Sequence, residues 1–304
     1  MRERTHETLV GLVHLRAVAI SMVFVFHYCL FDHPLWLERV GGFGWTGVDL
    51  FFVLSGFLIA RQLFVQKPSL RRFYWRRLLR IVPAYLVMLA AYELLPSIRE
   101  RGELPSLWRM LTFSQNVGLD LATRGTFSHA WSLCIEEQFY LMFPLVLLAL
   151  GRRRALVPFL ILVGMTMRAW SWTHVRGNTL AWYEWVYYPT WGRLDGLLAG
   201  ITLAAVRWRN RHAAPVGLAL LVGAAFVDAE SRAGSIVIFP LLALGYGAIV
   251  LAALDPASIF ARVPARVSSG LARLSYALIG DRIRARPRRW RDGVAAHTGG
   301  LGSG

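Results

Sequence analysis

Cysteine and lysine are nearly absent from this sequence. Two of its 304 residues are cysteines, Cys29 and Cys134, and one is a lysine, Lys67. Two cysteines cannot form a disulfide framework, and these two lack the spacing of metal ligands, so no metal site is predicted. We expect isolated buried thiols, with a single bridge between them as the alternative.

Acidic residues are scarce as well. Only 18 acidic residues stand against 34 basic ones, which gives a formal net charge of +16. Such an excess occurs in proteins that bind nucleic acid, but also at the cytoplasmic face of membrane proteins. The placement of the arginines therefore has to decide between these two classes.

Long apolar runs dominate the chain, and 56% of its residues are hydrophobic. Many of the runs are near the length that crosses a bilayer. They cover residues 11–31, 46–65, 73–95, 131–150, 155–172, 187–206, 213–229 and 235–254. The sequence predicts an all-α fold, a polytopic transmembrane helix bundle of about eight spans.

The basic residues cluster in the connections on one side of these spans. The clusters lie at residues 2–4, 61–80, 152–154, 207–211 and 262–291. This is the positive-inside pattern, so topology explains the charge and no nucleic acid is expected as a partner. We predict a multi-pass protein of the inner or plasma membrane, in contact with membrane lipid, with its N-terminus in the cytoplasm.

Two ionisable side chains lie inside the first span, where such residues are costly and usually functional. Arg16 and His27 are eleven residues apart, so they share a helix face and are separated by roughly 16 Å along the axis. They could mark two depths of one polar path through the membrane.

Two further blocks place charged residues at span ends. Residues 47–59 open the second span with Asp49, which either caps a helix or orients His27 at similar depth, and Gly56 permits close helix packing. Residues 73–85 open the third span, where Arg77 and Arg80 share a face. Several guanidiniums at the inner face would make a cradle for phosphates.

The last two blocks carry buried charge. Glu136 and Glu137 begin the fourth span, and one of them should face the protein interior. Arg193 and Asp195 interrupt the sixth span. Because an isolated charge is costly there, we expect ion pairs with each other, with Asp49 or with Glu136.

Together these blocks resemble acyltransferase family 3, the integral-membrane acyltransferases that modify bacterial surface polysaccharides, macrolides or other glycosides. The resemblance covers most of residues 8–280. It rests on Leu15-Arg16-Ala17-Val18-Ala19 with His27 as the Arg-x10-His pattern, the 47–59 block, Arg77-Leu-Leu-Arg80, Trp131-Ser-Leu followed by Glu136-Glu137-Gln138-Phe139-Tyr140, and Arg193 with Asp195 and Gly196.

The resemblance implies transfer of an acyl group, usually acetyl from cytoplasmic acetyl-CoA, to a hydroxyl of a sugar, glycan or glycoside. We expect Arg16, Arg77 and Arg80 to hold the CoA phosphates and His27 to act as general base, because its unperturbed pKa lies near neutrality. Asp49 or Glu136 would orient the imidazole. Ser55, Ser132 and Tyr140 are candidate acyl carriers that the sequence does not separate.

The C-terminal part departs from the family pattern. Residues 1–280 form the predicted acyltransferase domain, and residues 281–304 are a basic tail rich in Gly and Arg that cannot cross a bilayer. The last one or two of the family's usual ten helices are expected to be missing, through truncation, a frameshift or a natural tail. Two alternatives therefore stay open. The chain is either an inactive family member, or a membrane transporter or flippase of glycan precursors.

The longest predicted external connection, residues 96–127, has an amphipathic stretch at 107–113. It either caps the outer mouth of the bundle or serves only as a tether.

Overall fold

The fold is known from a computed structural model. The structure describes residues 2–30, 41–99, 103–151, 156–175, 177–206, 208–264 and 267–270. The arginines at 152–154, Arg207 and the predicted basic tail at 281–304 lie outside these ranges.

Eight helices of twelve residues or more lie in the described ranges. They are α1 (Arg2–Leu30), α2 (Gly47–Arg61), α3 (Leu70–Leu94), α4 (Trp131–Leu150), α5 (Leu156–Trp172), α6 (Asp195–Val206), α7 (Ala213–Ala225) and α8 (Arg232–Ala253). Short helices stand at Leu107–Leu111, Thr179–Trp182 and Ile259–Arg262. The prediction of an all-α helix bundle is confirmed.

Four segments of the described chain are long and apolar enough to cross a membrane by length and composition. They are Val10–Cys29, Gly44–Gln66, Ser128–Ala149 and Arg232–Ala253. Shorter apolar helices accompany them at Leu156–Trp172, Asp195–Val206 and Ala213–Ala225. The chain is a membrane protein.

The helices alternate in direction across the bundle. We call the side on which α1 begins the proximal side and the side on which it ends the distal side. Helix α8 runs antiparallel to α1. Gly11 packs on the backbone of Ala253, whereas Met22, further along α1, approaches Tyr246, which lies earlier in α8. Helix α3 likewise runs antiparallel to α4.

Helices α2 and α6 pack backbone to backbone. A Cβ atom at Gly56 would overlap the carbonyl oxygen of Leu197, and one at Gly200 would overlap that of Val53. Close approach of this kind is typical of small residues in membrane bundles. The expectation that Gly56 permits tight packing is confirmed.

The predicted sixth span, 187–206, is a regular α-helix only from Asp195 onward. A short turn at Thr190–Gly192 precedes it, and Arg193 adopts a non-helical conformation between the two. The irregular backbone is buried in protein, which is the condition under which it is tolerated at membrane depth.

Both cysteines are free thiols. Cys134 is buried in α4, and Cys29 is half-buried near the distal end of α1. The expectation of isolated thiols is confirmed.

Candidate active site

His27 lies at the distal end of α1 and is half-buried. Its Nδ1 is 2.8 Å from the carbonyl oxygen of Val23, one helical turn earlier. A carbonyl oxygen only accepts, so Nδ1 donates this hydrogen bond. A backbone group of its own helix therefore orients the imidazole of His27.

Asp49 does not share the depth of His27. At the start of α2, Gly47 packs against Ala19 and Met22 of the antiparallel α1. Asp49 is two residues further toward the proximal side, which places it roughly 12 Å from His27 along the axis. The prediction that the two lie at similar depth is wrong, because α1 extends beyond the beginning of α2.

Asp49 instead forms a buried ion pair. Its Oδ2 accepts a hydrogen bond from Nη2 of Arg193 at 3.1 Å. The guanidinium carbon of Arg193 also lies 4.1 Å from the ring centre of Phe239 and 4.6 Å from that of Tyr187. The aromatic faces supply cation–π attraction in a site without access to water. Of the expected pairings for Arg193, the one with Asp49 is confirmed.

Glu136 belongs to a polar cluster on the proximal side of this ion pair. Its carboxylate accepts from the Ser55 hydroxyl at 2.8 Å and from the Tyr140 hydroxyl at 3.1 Å. The Arg77 guanidinium carbon lies 4.1 Å from the ring centre of Tyr140. Ser55 is eight residues inward of Gly47 on α2, so the cluster is roughly 20 Å from His27 in depth.

The imidazole of His27 is thus oriented by Val23 rather than by Asp49 or Glu136. Asp49 accepts from Arg193, and Glu136 accepts from Ser55. Because α2 begins opposite the middle of the apolar part of α1, both carboxylates lie away from the distal end of α1. The expected orienting role of these two carboxylates is not what the geometry shows.

The three arginines assigned to the donor all fall in the proximal half of the bundle. Arg16 is buried, and it lies roughly 4 Å closer to the distal side than the Ser55–Glu136 pair. Arg77 and Arg80 are one helical turn apart on α3, and both lie within electrostatic range of Glu136 and Glu137. Arg16 and Arg80 are 64 positions apart in the sequence, and the fold brings both into the proximal half of the bundle.

His14 fixes the chain beyond α8 to α1. Its Nε2 donates to the carbonyl oxygen of Val263 at 2.9 Å, and its Nδ1 accepts from the Ser268 hydroxyl at 2.7 Å. Both ring nitrogens are thereby occupied. His14 is a packing contact two residues from Arg16.

Arg168 is a buried residue that the sequence patterns did not single out. Its Nη1 donates to Oδ2 of Asp195 at 2.6 Å and to the carbonyl oxygen of Gly192 at 2.8 Å. Asp195 therefore pairs with α5 and not with Arg193. The available signal was the position of this arginine inside the apolar 155–172 segment, where an isolated charge is costly and needs an acidic partner.

These features define a polytopic α-helical membrane protein. It holds a half-buried histidine at the distal end of α1 and three arginines in the proximal half. In the part of the chain that the structure describes, no three His, Cys, Asp or Glu side chains converge as metal ligands.

A family model described as an acyltransferase domain matches residues 9–278. The chain therefore belongs to acyltransferase family 3, the family whose sequence blocks it resembles.

Among known proteins the chain is similar to the O-acetyltransferase OatA of Staphylococcus aureus. It is 34% identical to OatA of strain NCTC 8325 over 221 residues, which cover 65% of this chain and 34% of that protein. OatA of strain COL matches with the same identity and the same coverage. The chain thus spans about a third of the length of the curated relatives it matches. No solved structure matches it.

Proposed function

We propose that this protein is an O-acyltransferase that moves an acyl group, most simply acetyl, from acyl-CoA to a hydroxyl of a sugar, glycan or glycoside. The observation that carries the proposal is the position of His27 at the distal end of α1, with Nδ1 donating to Val23, in a member of an acyltransferase family. The similarity to proteins named O-acetyltransferase favours acetyl and an oxygen acceptor.

We assign the proximal side to the cytoplasm of a bacterial inner or plasma membrane, because the described helix ends and connections on that side carry more arginines than those on the distal side, above all at residues 61–80. Arg16, Arg77 and Arg80 would hold the phosphates of CoA there. Arg77 and Arg80 fit this role, since their spacing on α3 turns two guanidinium forks to one face.

His27 would act on the acceptor at the distal side. Its Nε2 takes the proton from the acceptor hydroxyl as the oxygen attacks the thioester carbonyl, and the thiolate of CoA leaves with the electron pair of the broken C–S bond. The roughly 16 Å between Arg16 and His27 on the unbroken α1 helix must be bridged by the pantetheine arm.

Asp49 has a supporting part in this scheme. It holds Arg193 in the middle of the bundle, between the two ends of the path. Glu136 similarly holds Ser55 and Tyr140 beside Arg77. Of the three candidate acyl carriers, Ser55 and Tyr140 are both committed to the Glu136 carboxylate.

The test is acetyl transfer from labelled acetyl-CoA to cell-envelope glycan in membranes that contain this chain. His27→Ala should lower the rate by about 10²–10⁴-fold, the usual contribution of a general base. His174→Ala is the matched control, because His174 is a distal histidine that stacks on Trp185. It should transfer at the wild-type rate.

Three outcomes separate the alternatives. Unchanged transfer by His27→Ala would refute the role of the histidine. Movement of glycan across the membrane without acetylation would indicate a transporter or flippase. Neither activity, from wild-type protein with a normal unfolding transition, would indicate an inactive family member.

A further inference from the structure

An open groove lies at the proximal end of α3, and we call it the α3 groove. It has a volume of about 480 Å³ and is lined by Ser69, Arg71, Arg72 and Trp75. Both arginines are exposed, and the side chain of Trp75 is 60% exposed. The groove therefore belongs to the outer surface of the bundle.

The α3 groove faces away from the arginine cluster inside the bundle. Phe73 is fully buried, and the guanidinium carbon of Arg77 lies 5.8 Å from its ring centre and 4.1 Å from that of Tyr140. Trp75 is two residues from both Phe73 and Arg77, and two residues turn a helix by about 200°. A molecule in the groove is therefore on the opposite side of α3 from the phosphates that we assign to Arg77.

Exposed apolar side chains continue the α3 groove toward the membrane interior. Leu78 and Leu79 are 48% and 47% exposed. Leu79 lies roughly 10 Å beyond Arg72 along the helix axis. The polar layer on each side of a bilayer is about 5–8 Å thick, so this face passes from headgroup depth at the arginines to acyl-chain depth at Leu79. Trp75 lies between the two, at the interfacial depth where tryptophan is enriched.

Within the described ranges no carboxylate pairs with the two arginines of the groove. The sequence contains no acidic residue between Asp49 and Glu93, and neither Arg71 nor Arg72 takes part in an ion pair of the described residues. The Ser69 hydroxyl oxygen accepts from the backbone amide of Arg72 at 3.4 Å and leaves its guanidinium aside. Both guanidiniums are therefore available to an anion.

A second exposed tryptophan on the proximal side shows what distinguishes the α3 groove. Trp208 is 70% exposed and is followed by the exposed Arg209 and Arg211. There, however, Asp255 accepts from the Arg211 amide at 3.0 Å and lies within electrostatic range of both arginines. A carboxylate thus offsets the positive charge of that patch, whereas the charge of the groove has no such partner among the described residues.

We propose that the α3 groove binds one anionic phospholipid of the proximal leaflet. Arg71 and Arg72 face its phosphate, and Trp75 and Leu79 lie along an acyl chain. A guanidinium can pair with phosphate oxygens through two N–H groups, and basic pockets on membrane helices bind acidic headgroups. The bound lipid would hold the beginning of α3 at the membrane surface. The inference concerns the outer surface of the bundle and does not depend on the proposed acyl transfer.

Binding of single lipids to the full chain can be counted by native mass spectrometry in detergent. The probes are dioleoyl-phosphatidylglycerol, which is anionic, and dioleoyl-phosphatidylcholine, which has the same chains and no net charge. The first phosphatidylglycerol should bind more tightly than the first phosphatidylcholine by about 25-fold, because each arginine near a membrane surface contributes a factor of about five for an acidic lipid.

Variants of the α3 groove test its residues. Arg71→Gln and Arg72→Gln should each weaken phosphatidylglycerol binding by about fivefold, and the double variant by about 25-fold, with phosphatidylcholine nearly unaffected. Trp75→Ser should weaken binding of both lipids, because it removes an apolar contact that their chains share. The matched control is Arg209→Gln combined with Arg211→Gln, which removes the same charge beside Trp208 and should bind both lipids as the wild type does.

Three results would overturn the lipid site. The first is equal affinity for the two lipids, or wild-type phosphatidylglycerol binding in the Arg71→Gln and Arg72→Gln double variant. The second is an equal loss in the control variant, which would show attraction to net charge alone. The third is displacement of the lipid by an equal concentration of glycerol phosphate, which carries the charged group without the chains. Selective lipid binding without acyl transfer would leave the inference intact and refute only the proposed function.

Discussion

Arg193 donates to Asp49 at 3.1 Å across 144 positions of sequence, and the pair ties α2 to the turn that precedes α6. Both side chains are buried, and among the described residues Nε and Nη1 of Arg193 have no hydrogen-bond partner. The centre of the bundle therefore carries a guanidinium that is stabilised by one carboxylate and by the faces of the surrounding aromatic rings.

Removing one member of this pair should destabilise the protein strongly. We expect Asp49→Asn or Arg193→Gln to lower the free energy of unfolding by about 3–5 kcal/mol, because each leaves an uncompensated buried group. The double variant should be less destabilised than the sum of the two. Thermal unfolding in detergent can be followed by labelling of the buried Cys134 thiol in a Cys29→Ser background. Additive losses would show that the two side chains act independently.

The contact between α2 and α6 should tolerate no added atom. Gly56→Ala should destabilise by about 1–3 kcal/mol or more, because the new methyl group meets backbone that cannot move aside. Gly223→Ala in α7 is the control, since nothing lies within 4 Å of a Cβ there. It should be neutral or stabilising by up to about 1 kcal/mol. Equal behaviour of the two variants in the thiol-labelling assay would contradict the packing.

The arginine cluster should govern use of the donor. Arg77→Gln should raise the KM for acetyl-CoA by about tenfold, because a guanidinium–phosphate pair is lost. His27→Ala should act mainly on kcat. Arg71→Gln, an exposed change in the first turn of α3, serves as the control for general loss of basic charge. A lower kcat with unchanged KM in Arg77→Gln would place that residue elsewhere in the reaction.

The distal loop, residues 103–130 between α3 and α4, should loosen in acid. The hydrogen bond from Thr123 is the main cause that lowers the pKa of Asp120 below its ordinary value. A depressed carboxyl pKa contributes stability above the unfolded-state pKa of about 3.9, and that stability is lost as the pH falls through the folded value.

Pepsin cleavage within the loop, followed from pH 4.5 down to pH 2, therefore measures this contribution. In Thr123→Val the cleavage should begin at higher pH than in wild type, because the carboxylate has lost its strongest partner. Cleavage of both proteins over the same pH range would show that Asp120 does not hold the loop. Asp255→Asn, at the proximal end of α8, is a control that should leave loop cleavage unchanged.

The fold class and the family could be predicted from the sequence, because the span lengths, the arginine positions and the short motifs are each visible within a single segment of the chain. The close contact at Gly56 was also predictable, since a glycine inside an apolar helix has few other uses. The need of Arg193 for a carboxylate partner was predictable, because an unpaired buried guanidinium is costly, but the sequence left Asp49, Glu136 and Asp195 as alternatives.

The relative depth of the residues was not predictable in the same way. It depends on how far one helix slides along another, and here Gly47 packs against the middle of the first apolar span and not its end. That offset separates Asp49 and Glu136 from His27. The partner of His27 was missed for a different reason, since the carbonyl of Val23 is a backbone group that no side-chain motif records.

Arg16 and His27 stand on one continuous helix, so their spacing is fixed by covalent geometry and not by the docking of separate parts. Under the proposed function, movements of the other helices could open or close the path without changing the distance that a donor must reach. The first helix would then set the distance between the arginine that holds the donor and the histidine that acts as base. A single residue inserted between the two would lengthen it by about 1.5 Å and turn the histidine by about 100° away from the arginine.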